Sequence, residues 1–243
     1  TANTGQPELE SKIELIRNGM WLRVMIGGGN DVNTVVDHIH SAPWICLGLK
    51  DGSYSVGNTI GSRNFESRVA VESIVGGRFA IAPYFEYNSY KDRMQFFTEF
   101  TSTGLPFLIP VLSSYDVTSF GVETSWKSRN LNITAKLQSN DYKGAGDAEV
   151  YMLPKMEISS SVAYDIKKRF FVGADFHYES EKNSWHGGKV PDYIDLSATA
   201  TYVVNRHLSA YIKGGNLLNR HNFRYFEIPE IPLNIGGGVS VKF

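Results

Sequence analysis

The 243-residue chain lacks several features that commonly identify a protein class. It has a single cysteine, Cys46, so neither an intrachain disulfide nor a cysteine-based zinc site can form. Its longest apolar run, 105–112, is interrupted by two prolines and falls short of the ~18 residues that a membrane helix needs. Basic and acidic residues nearly balance, at 24 and 25, so no excess of positive charge indicates nucleic acid as a partner. A helical membrane protein is therefore excluded, whereas one built of strands is not.

Apolar and polar residues alternate along most of the chain, with the period of two that predicts β-strands. In the clearest segment, apolar side chains occupy the even positions from Ile194 to Val204, and Asp195, Ser197 and the threonines occupy the odd ones. Eleven such segments can be recognised: 8–16, 20–29, 65–75, 78–88, 114–127, 130–139, 150–165, 169–180, 194–204, 208–213 and 233–243. Many have the 9–11 residues of a tilted transmembrane strand. We predict an all-β fold, an antiparallel up-and-down transmembrane β-barrel, in one domain over 1–243 with no plug domain.

The connections between these segments alternate between short and long. Tight turns are expected at residues 18–19, 76–77, 128–130, 167–168 and 205–206, and long polar connections near 30–64, 89–113, 140–149, 181–191 and 215–232. An outer-membrane barrel has this asymmetry, with short periplasmic turns and long external loops. The longest connections could carry extra strands, for example around 94–100.

The two faces of the predicted strands differ in chemistry. The apolar face carries no charge, while the other face carries both signs: Glu10, Lys12, Glu14, Glu66, Arg68, Glu72, Glu123, Lys136, Glu157, Asp175, Glu179, Lys213 and Lys242. Aromatic residues gather at the ends of the apolar faces: Tyr87, Trp126, Tyr164, Phe170, Tyr178, Tyr202 and Phe243. A clean apolar face with aromatic ends is typical of a strand that faces lipid around a wet lumen, and it places the chain in the bacterial outer membrane.

The end of the chain resembles a known family. The last strand alternates and ends in Phe243, as do closing strands of bacterial outer-membrane proteins, where the assembly machinery reads that end. Before it come a strand led by Asp192, a short turn, and the loop Asn216, Leu217, Leu218, Asn219 and Arg220. Over 192–243 this combination resembles the C-terminal end of TonB-dependent outer-membrane receptors, with the Bacteroidetes branch the most similar.

The resemblance implies nutrient uptake of the siderophore, cobalamin or glycan class through a barrel gated by a plug and coupled to TonB. Those receptors have 22 strands and an N-terminal plug, whereas eleven strands are predicted here. Bacterial single-chain barrels have even strand numbers. We therefore expect either half of a larger barrel, with the plug and the other half supplied elsewhere, or a small barrel of 10–12 strands.

Candidate binding residues lie in the predicted external loops, because aromatic residues there give contact area with few rotatable bonds. They are Tyr90, Phe96, Phe97, Phe100, Phe107, Trp185, His186, Tyr225 and Phe226. His38 and His40 share one face of an extended segment and form a weak candidate metal pair. No phosphate-loop, dinucleotide-binding, zinc-protease or nucleophile-elbow motif is present, so we predict neither a cofactor nor an enzyme.

Three other functions remain open from the sequence. Asp175, His177 and Glu179 share the polar face of one strand and could serve an outer-membrane hydrolase. A porin-like barrel is a further small-barrel alternative. The same alternation also fits a soluble β-sandwich binding module with Phe243 in a dry core. The expected partners are outer-membrane lipid, the barrel-assembly machinery and a small-molecule ligand of unknown identity, with no nucleic acid.

Overall fold

The computed structural model describes residues 11–17, 20–33, 60–147 and 149–242, and its regular structure is almost entirely β-strand. The strands are Ser11–Arg17 (β1), Met20–Asn33 (β2), Ile60–Val75 (β3), Phe79–Phe100 (β4), Pro106–Lys127 (β5), Leu131–Gly144 (β6), Met156–Ile166 (β7), Phe170–Glu179 (β8), Lys182–Asn183 (β9), Lys189–Val190 (β10), Tyr193–Val203 (β11), Leu208–Gly215 (β12), Phe223–Tyr225 (β13), Ile228–Pro229 (β14) and Asn234–Val241 (β15). One 3-10 turn, Ala145–Asp147, follows β6. Within the described ranges, no helix has the length and apolarity needed to cross a membrane.

Eleven of the strands form one continuous antiparallel sheet. Its order is β1-β2-β3-β4-β5-β6-β7-β8-β11-β12-β15, so each long strand pairs with its neighbours in the chain. The remaining four strands make two small hairpins, β9 with β10 and β13 with β14, in the long connections. The predicted eleven-strand up-and-down fold is confirmed, and it is one sheet rather than the two packed layers of a β-sandwich. In the described part of the chain no pairing joins β1 to β15.

Tight turns join the strands at one end of the sheet, as predicted. Gly76 and Gly77 both have positive φ, as do Lys167 and Lys168, so both pairs adopt the left-handed conformation of a type I′ turn. In the turn after β11, the Asn205 side-chain oxygen accepts hydrogen bonds from the backbone N–H groups of His207 and Leu208. The turn predicted at Asn18 and Gly19 lies outside the described residues.

The prediction of a long polar connection over 89–113 is wrong. β4 continues to Phe100 and β5 begins at Pro106, so only five residues separate them, and the extra strand expected around 94–100 is the extension of β4. Pro106 and Pro110 are tolerated because β5 pairs with β6 only from Tyr115 onward, which leaves the earlier part of β5 as an edge where the missing N–H costs nothing. Smaller differences occur at other strand ends: β2 extends to Asn33, β3 begins at Ile60, β6 extends to Gly144, and β7 begins at Met156 rather than at 150.

The strand register sorts side chains into two kinds of row across the sheet. One row pairs Val122, Leu137, Ile158, Tyr178 and Ile194 in adjacent strands. Leu137 is 45% exposed, and Ile212, which also lies on this apolar face, is 54% exposed. Such exposure of large apolar side chains along a whole sheet face is typical of a surface that another apolar medium covers.

The adjacent row is polar and pairs Glu123, Lys136, Ser159, His177 and Asp195. The first four of these side chains line one cavity, so this face is the concave one. Apolar residues therefore face outward and ionic residues face the enclosed side, which is the arrangement predicted for a lipid-facing barrel wall.

Aromatic side chains cluster on the outer face close to the tight turns. Trp126, Tyr164, Phe170 and Tyr202 are all substantially exposed and lie within a few residues of a turn. Tyr178 lies toward the opposite end of β8. The four aromatic residues near the tight turns lie where one aromatic girdle of a membrane barrel is expected. Phe243, also predicted to belong to a girdle, lies outside the described residues.

Candidate functional site

The concave face carries a lower cavity of about 650 Å³ near the middle of the strands. Its wall combines small residues such as Ala70, Ala82 and Ser159 with ionic residues. Arg68 lies 2.8 Å from Glu123, and Arg23 lies 3.5 Å from Glu72, so the charges lining this cavity include cross-strand ion pairs. The lower cavity is therefore polar and electrostatically balanced, as a hydrated lumen requires.

Tyr84 organises the wall above the lower cavity. The Arg68 guanidinium lies 4.1 Å from the centroid of the buried Tyr84 ring, a cation–π contact, and the Tyr84 hydroxyl donates to Gln138 Oε1 at 2.8 Å. Position 121 on the adjacent strand must be glycine, because a Cβ there would overlap the Tyr84 ring. Gln138 in turn donates to Asn140 Oδ1 at 2.7 Å. The result is a rigid polar network that leads toward the other end of the sheet.

A second space, the upper cavity, lies beyond this network at the long-loop end and measures about 420 Å³. The residues that line it include Glu86, Asn88, Tyr90, Arg93, Gln95, Phe96, Tyr115, Lys136, Tyr142, Glu157 and Tyr225. The rings of Tyr90 and Tyr115 lie 5.2 Å apart, and Arg93 lies over Tyr90 at 4.3 Å. Burial raises the pKa of the Tyr225 phenol, so its hydroxyl remains neutral at physiological pH.

A separate aromatic cluster joins the tip of β4 to two of the long connections. Phe97, only 2% exposed, stacks on Trp185 with ring centroids 5.5 Å apart, while Trp185 remains 49% exposed. Phe100 contacts both His186 and Phe226. The Thr98 hydroxyl donates to the Phe226 carbonyl oxygen at 2.9 Å, and His186 Nε2 lies 3.0 Å from the Thr98 carbonyl oxygen. These contacts join segments of the chain that are 88 and 128 residues apart.

Eight of the nine predicted binding residues lie in one of two places. Tyr90, Phe96 and Tyr225 line the upper cavity. The aromatic cluster holds Phe97, Phe100, Trp185, His186 and Phe226. Phe107 belongs to neither group and is paired with Glu99 in the extended β4–β5 hairpin. Sequence reasoning missed Asn88, Tyr115 and Tyr142 in the upper cavity, because alternating polar and aromatic residues on a lumen face carry no motif.

The loop motif at 216–220 has a structural role. Asn216 is buried and has positive φ, and its side-chain amide donates to the carbonyl oxygens of Arg220 and Ile231 at 2.8 and 3.3 Å. Its Oδ1 accepts from the Arg220 backbone N–H at 3.0 Å. Asn219 also has positive φ, and its Oδ1 accepts from the Leu233 N–H. The two asparagines therefore fold the connection between β12 and β15, whereas the side chains of Leu217 and Leu218 are exposed.

The hydrolase candidate is an ion-pair cluster. His177 Nε2 lies 2.9 Å from Glu179 Oε1, and buried Lys182 donates to Glu179 Oε2 at 2.7 Å. In the part of the chain that the structure describes, no serine or cysteine hydrogen-bonds to His177. The arrangement fixes β9 against β8.

A metal pair is predicted at His38 and His40. Among the described residues, no group of three or more His, Cys, Asp or Glu side chains is placed to hold a metal ion. His38 and His40 lie outside the described residues.

Comparison with solved structures identifies the fold. The copper transporter OprC aligns with 96% of this chain at a TM-score of 0.60 and 13% identity. The ferripyoverdine receptor of the outer membrane of Pseudomonas aeruginosa aligns with 94% at 0.61 and 11%, and a mutant of the ferric enterobactin receptor PfeA from Pseudomonas aeruginosa with 96% at 0.62 and 10%. The chain has the fold of a TonB-dependent receptor barrel.

The TonB-dependent receptor resemblance, predicted from 192–243, thus extends in fold over almost the whole chain. The chain spans 38%, 32% and 40% of the lengths of these three structures, about a third of a receptor. No family model matches the sequence, and no curated protein is significantly similar to it. The similarity therefore lies in the receptor-barrel architecture, and the predicted likeness to the Bacteroidetes branch remains a prediction.

Proposed function

We propose that this chain is the C-terminal portion of the barrel of a TonB-dependent receptor-like transporter, which takes up a scarce nutrient through the bacterial outer membrane. The observation that supports this most strongly is the pair of adjacent rows, one apolar and on the outer face, the other polar and lining a cavity. A wall of this kind separates lipid from a wet passage. The matched structures named above include a copper transporter and two receptors for ferric siderophores, which supports transport rather than catalysis.

The barrel must be completed by other strands in this proposal. β1 and β15 each pair on one side only within the described ranges, and open sheet edges are not stable in hydrocarbon. The remaining strands and the plug would come from another part of the protein or from another chain. We further propose that the C-terminal strand is recognised by the barrel-assembly machinery, and that TonB supplies the energy through the plug.

Membrane fractionation tests the location. We expect the protein in the outer-membrane fraction of a density gradient, resistant to alkaline carbonate and released only by detergent. A soluble periplasmic protein followed in parallel controls for incomplete lysis. Recovery in the soluble fraction without detergent would contradict the proposal.

Growth of a deletion strain tests the transport function. The strain is supplied in turn with ferric siderophores, cobalamin or glycans as the limiting nutrient. We expect loss of growth on one of these classes, restored by the gene and abolished again by a protonophore that removes the energy for TonB. Growth equal to that of the parent strain on all three classes would count against uptake.

A further inference from the structure

Two side-chain oxygens in the wall of the upper cavity have no hydrogen-bond donor. Asn88 Oδ1 and Gln95 Oε1 are both buried there without a partner in the described part of the chain. Asn88 is only 6% exposed. A buried carbonyl oxygen without a donor costs about 1–3 kcal/mol, so two of them in one cavity wall require an explanation.

The orientation of the Asn88 amide is fixed by its neighbour. Its Nδ2 donates to Glu86 Oε1 at 2.6 Å. Rotating the amide by half a turn would place Oδ1 against the Glu86 carboxylate, which is repulsive. The unpaired atom at this position is therefore an acceptor, and a bound ligand would satisfy it by donating a hydrogen bond.

The cavity wall carries no net formal charge. Two carboxylates, Glu86 and Glu157, line it together with two cations, Arg93 and Lys136. One oxygen of each carboxylate accepts a hydrogen bond, Glu86 Oε1 from Asn88 and Glu157 Oε1 from Asn140. Because two cations and two carboxylates share the wall, its net charge favours neither a cationic nor an anionic ligand.

The rest of the wall is aromatic. Tyr90, Tyr115 and Tyr142 form a run of adjacent rings, with Tyr115 and Tyr142 6.2 Å apart, and Phe96 and Tyr225 also line the space. Aromatic faces offer contact area to a ring with apolar C–H surfaces, while the phenolic hydroxyls serve its polar edge. At about 420 Å³ the cavity lies near the lower end of the ~300–1,000 Å³ range of small-molecule sites.

We propose that the upper cavity binds an uncharged polyhydroxylated ring, a neutral sugar of one or two residues. The sugar hydroxyls donate to Asn88 Oδ1 and Gln95 Oε1, and its C–H faces pack on the tyrosines. This inference rests on the proposed uptake function and specifies its substrate class.

The test titrates the full-length protein, purified in detergent, with maltose, cellobiose and N,N′-diacetylchitobiose, and with ferric tricatecholate as an anionic probe. Gln95→Met removes one acceptor with little change in shape, and Asn88→Leu removes the other. Asn132→Leu is the matched control, since Asn132 is an exposed residue at the tight-turn end of β6. Retained strand content by circular dichroism shows that each variant folds.

We expect calorimetry to detect binding of at least one disaccharide by the parent protein. Gln95→Met should weaken that binding at least about tenfold, equivalent to about 1.4 kcal/mol, while Asn132→Leu leaves it within about twofold. Binding of none of the three sugars, or equal binding by folded Gln95→Met, would overturn the inference. Binding of ferric tricatecholate alone would overturn it and leave the proposed uptake function standing, whereas absence of the protein from the outer membrane would overturn that function itself.

Discussion

Replacing Leu137 by arginine is expected to lower the free energy of unfolding by about 2–4 kcal/mol, because an arginine on the lipid face near the bilayer midplane carries that cost. Leu137 lies on the exposed apolar face, six positions after the first residue of β6, and so about halfway along a tilted span of ~9–11 residues. Denaturant titration of the protein in lipid vesicles, followed by tryptophan fluorescence, measures the change.

The matched control places the same arginine on the other face. Ser161 pairs with Thr134 and Asp175, both of which line the lower cavity. Ser161→Arg therefore brings a cation next to a carboxylate in a hydrated space, and we expect a change of less than about 1 kcal/mol. Equal destabilisation by Leu137→Arg and Ser161→Arg would contradict the assignment of the two faces.

Replacing Asn216 by alanine is expected to destabilise the protein by about 2–4 kcal/mol, because the Asn216 side chain holds the connection between β12 and β15 in its folded conformation. The change removes two donated hydrogen bonds and one accepted hydrogen bond, and Asn216 is only 6% exposed, so water cannot readily replace them. It also places alanine at a φ of 46°, which asparagine tolerates better. The same vesicle titration measures this loss.

An exposed asparagine provides the comparison. Asn205 also accepts two backbone hydrogen bonds, at 2.8 and 3.0 Å, but in a solvent-facing turn. Because water can satisfy the freed N–H groups, Asn205→Ala should cost less than about 1 kcal/mol. If Asn216→Ala lowers the free energy of unfolding no more than Asn205→Ala does, burial of the Asn216 hydrogen bonds does not stabilise the protein, and the prediction is wrong.

The strands were predictable because each alternates in polarity and ends at a turn with distinctive chemistry. The pair Lys167 and Lys168 contains no glycine, yet polarity alternates on both sides of it, and the chain turns there. The full length of the β4–β5 hairpin was missed for a physical reason. Pro106 and Pro110 would break a central strand, but whether a strand has a second partner depends on where β6 ends, which a local pattern does not contain.

The candidate site was less accessible to sequence reasoning than the strands. The aromatic loop residues could be selected by type, but their division into an upper cavity and an aromatic cluster depends on strand register. Thr98 and His186 meet although 88 residues separate them. The unpaired oxygens of Asn88 and Gln95 could not be foreseen, because being unpaired is a property of the surroundings rather than of the residue.

Spin labelling tests most directly whether the apolar face contacts lipid while the ionic face contacts water. Nitroxides are attached to single cysteines replacing Leu137, Ile212, Lys136 and Lys213 in a Cys46→Ser background, with the protein in lipid vesicles. We expect oxygen, which partitions into lipid, to relax the labels at 137 and 212 more than a water-soluble nickel complex does, with the reverse at 136 and 213. Stronger relaxation by nickel at 137 and 212, with oxygen dominant at 136 and 213, would contradict this expectation.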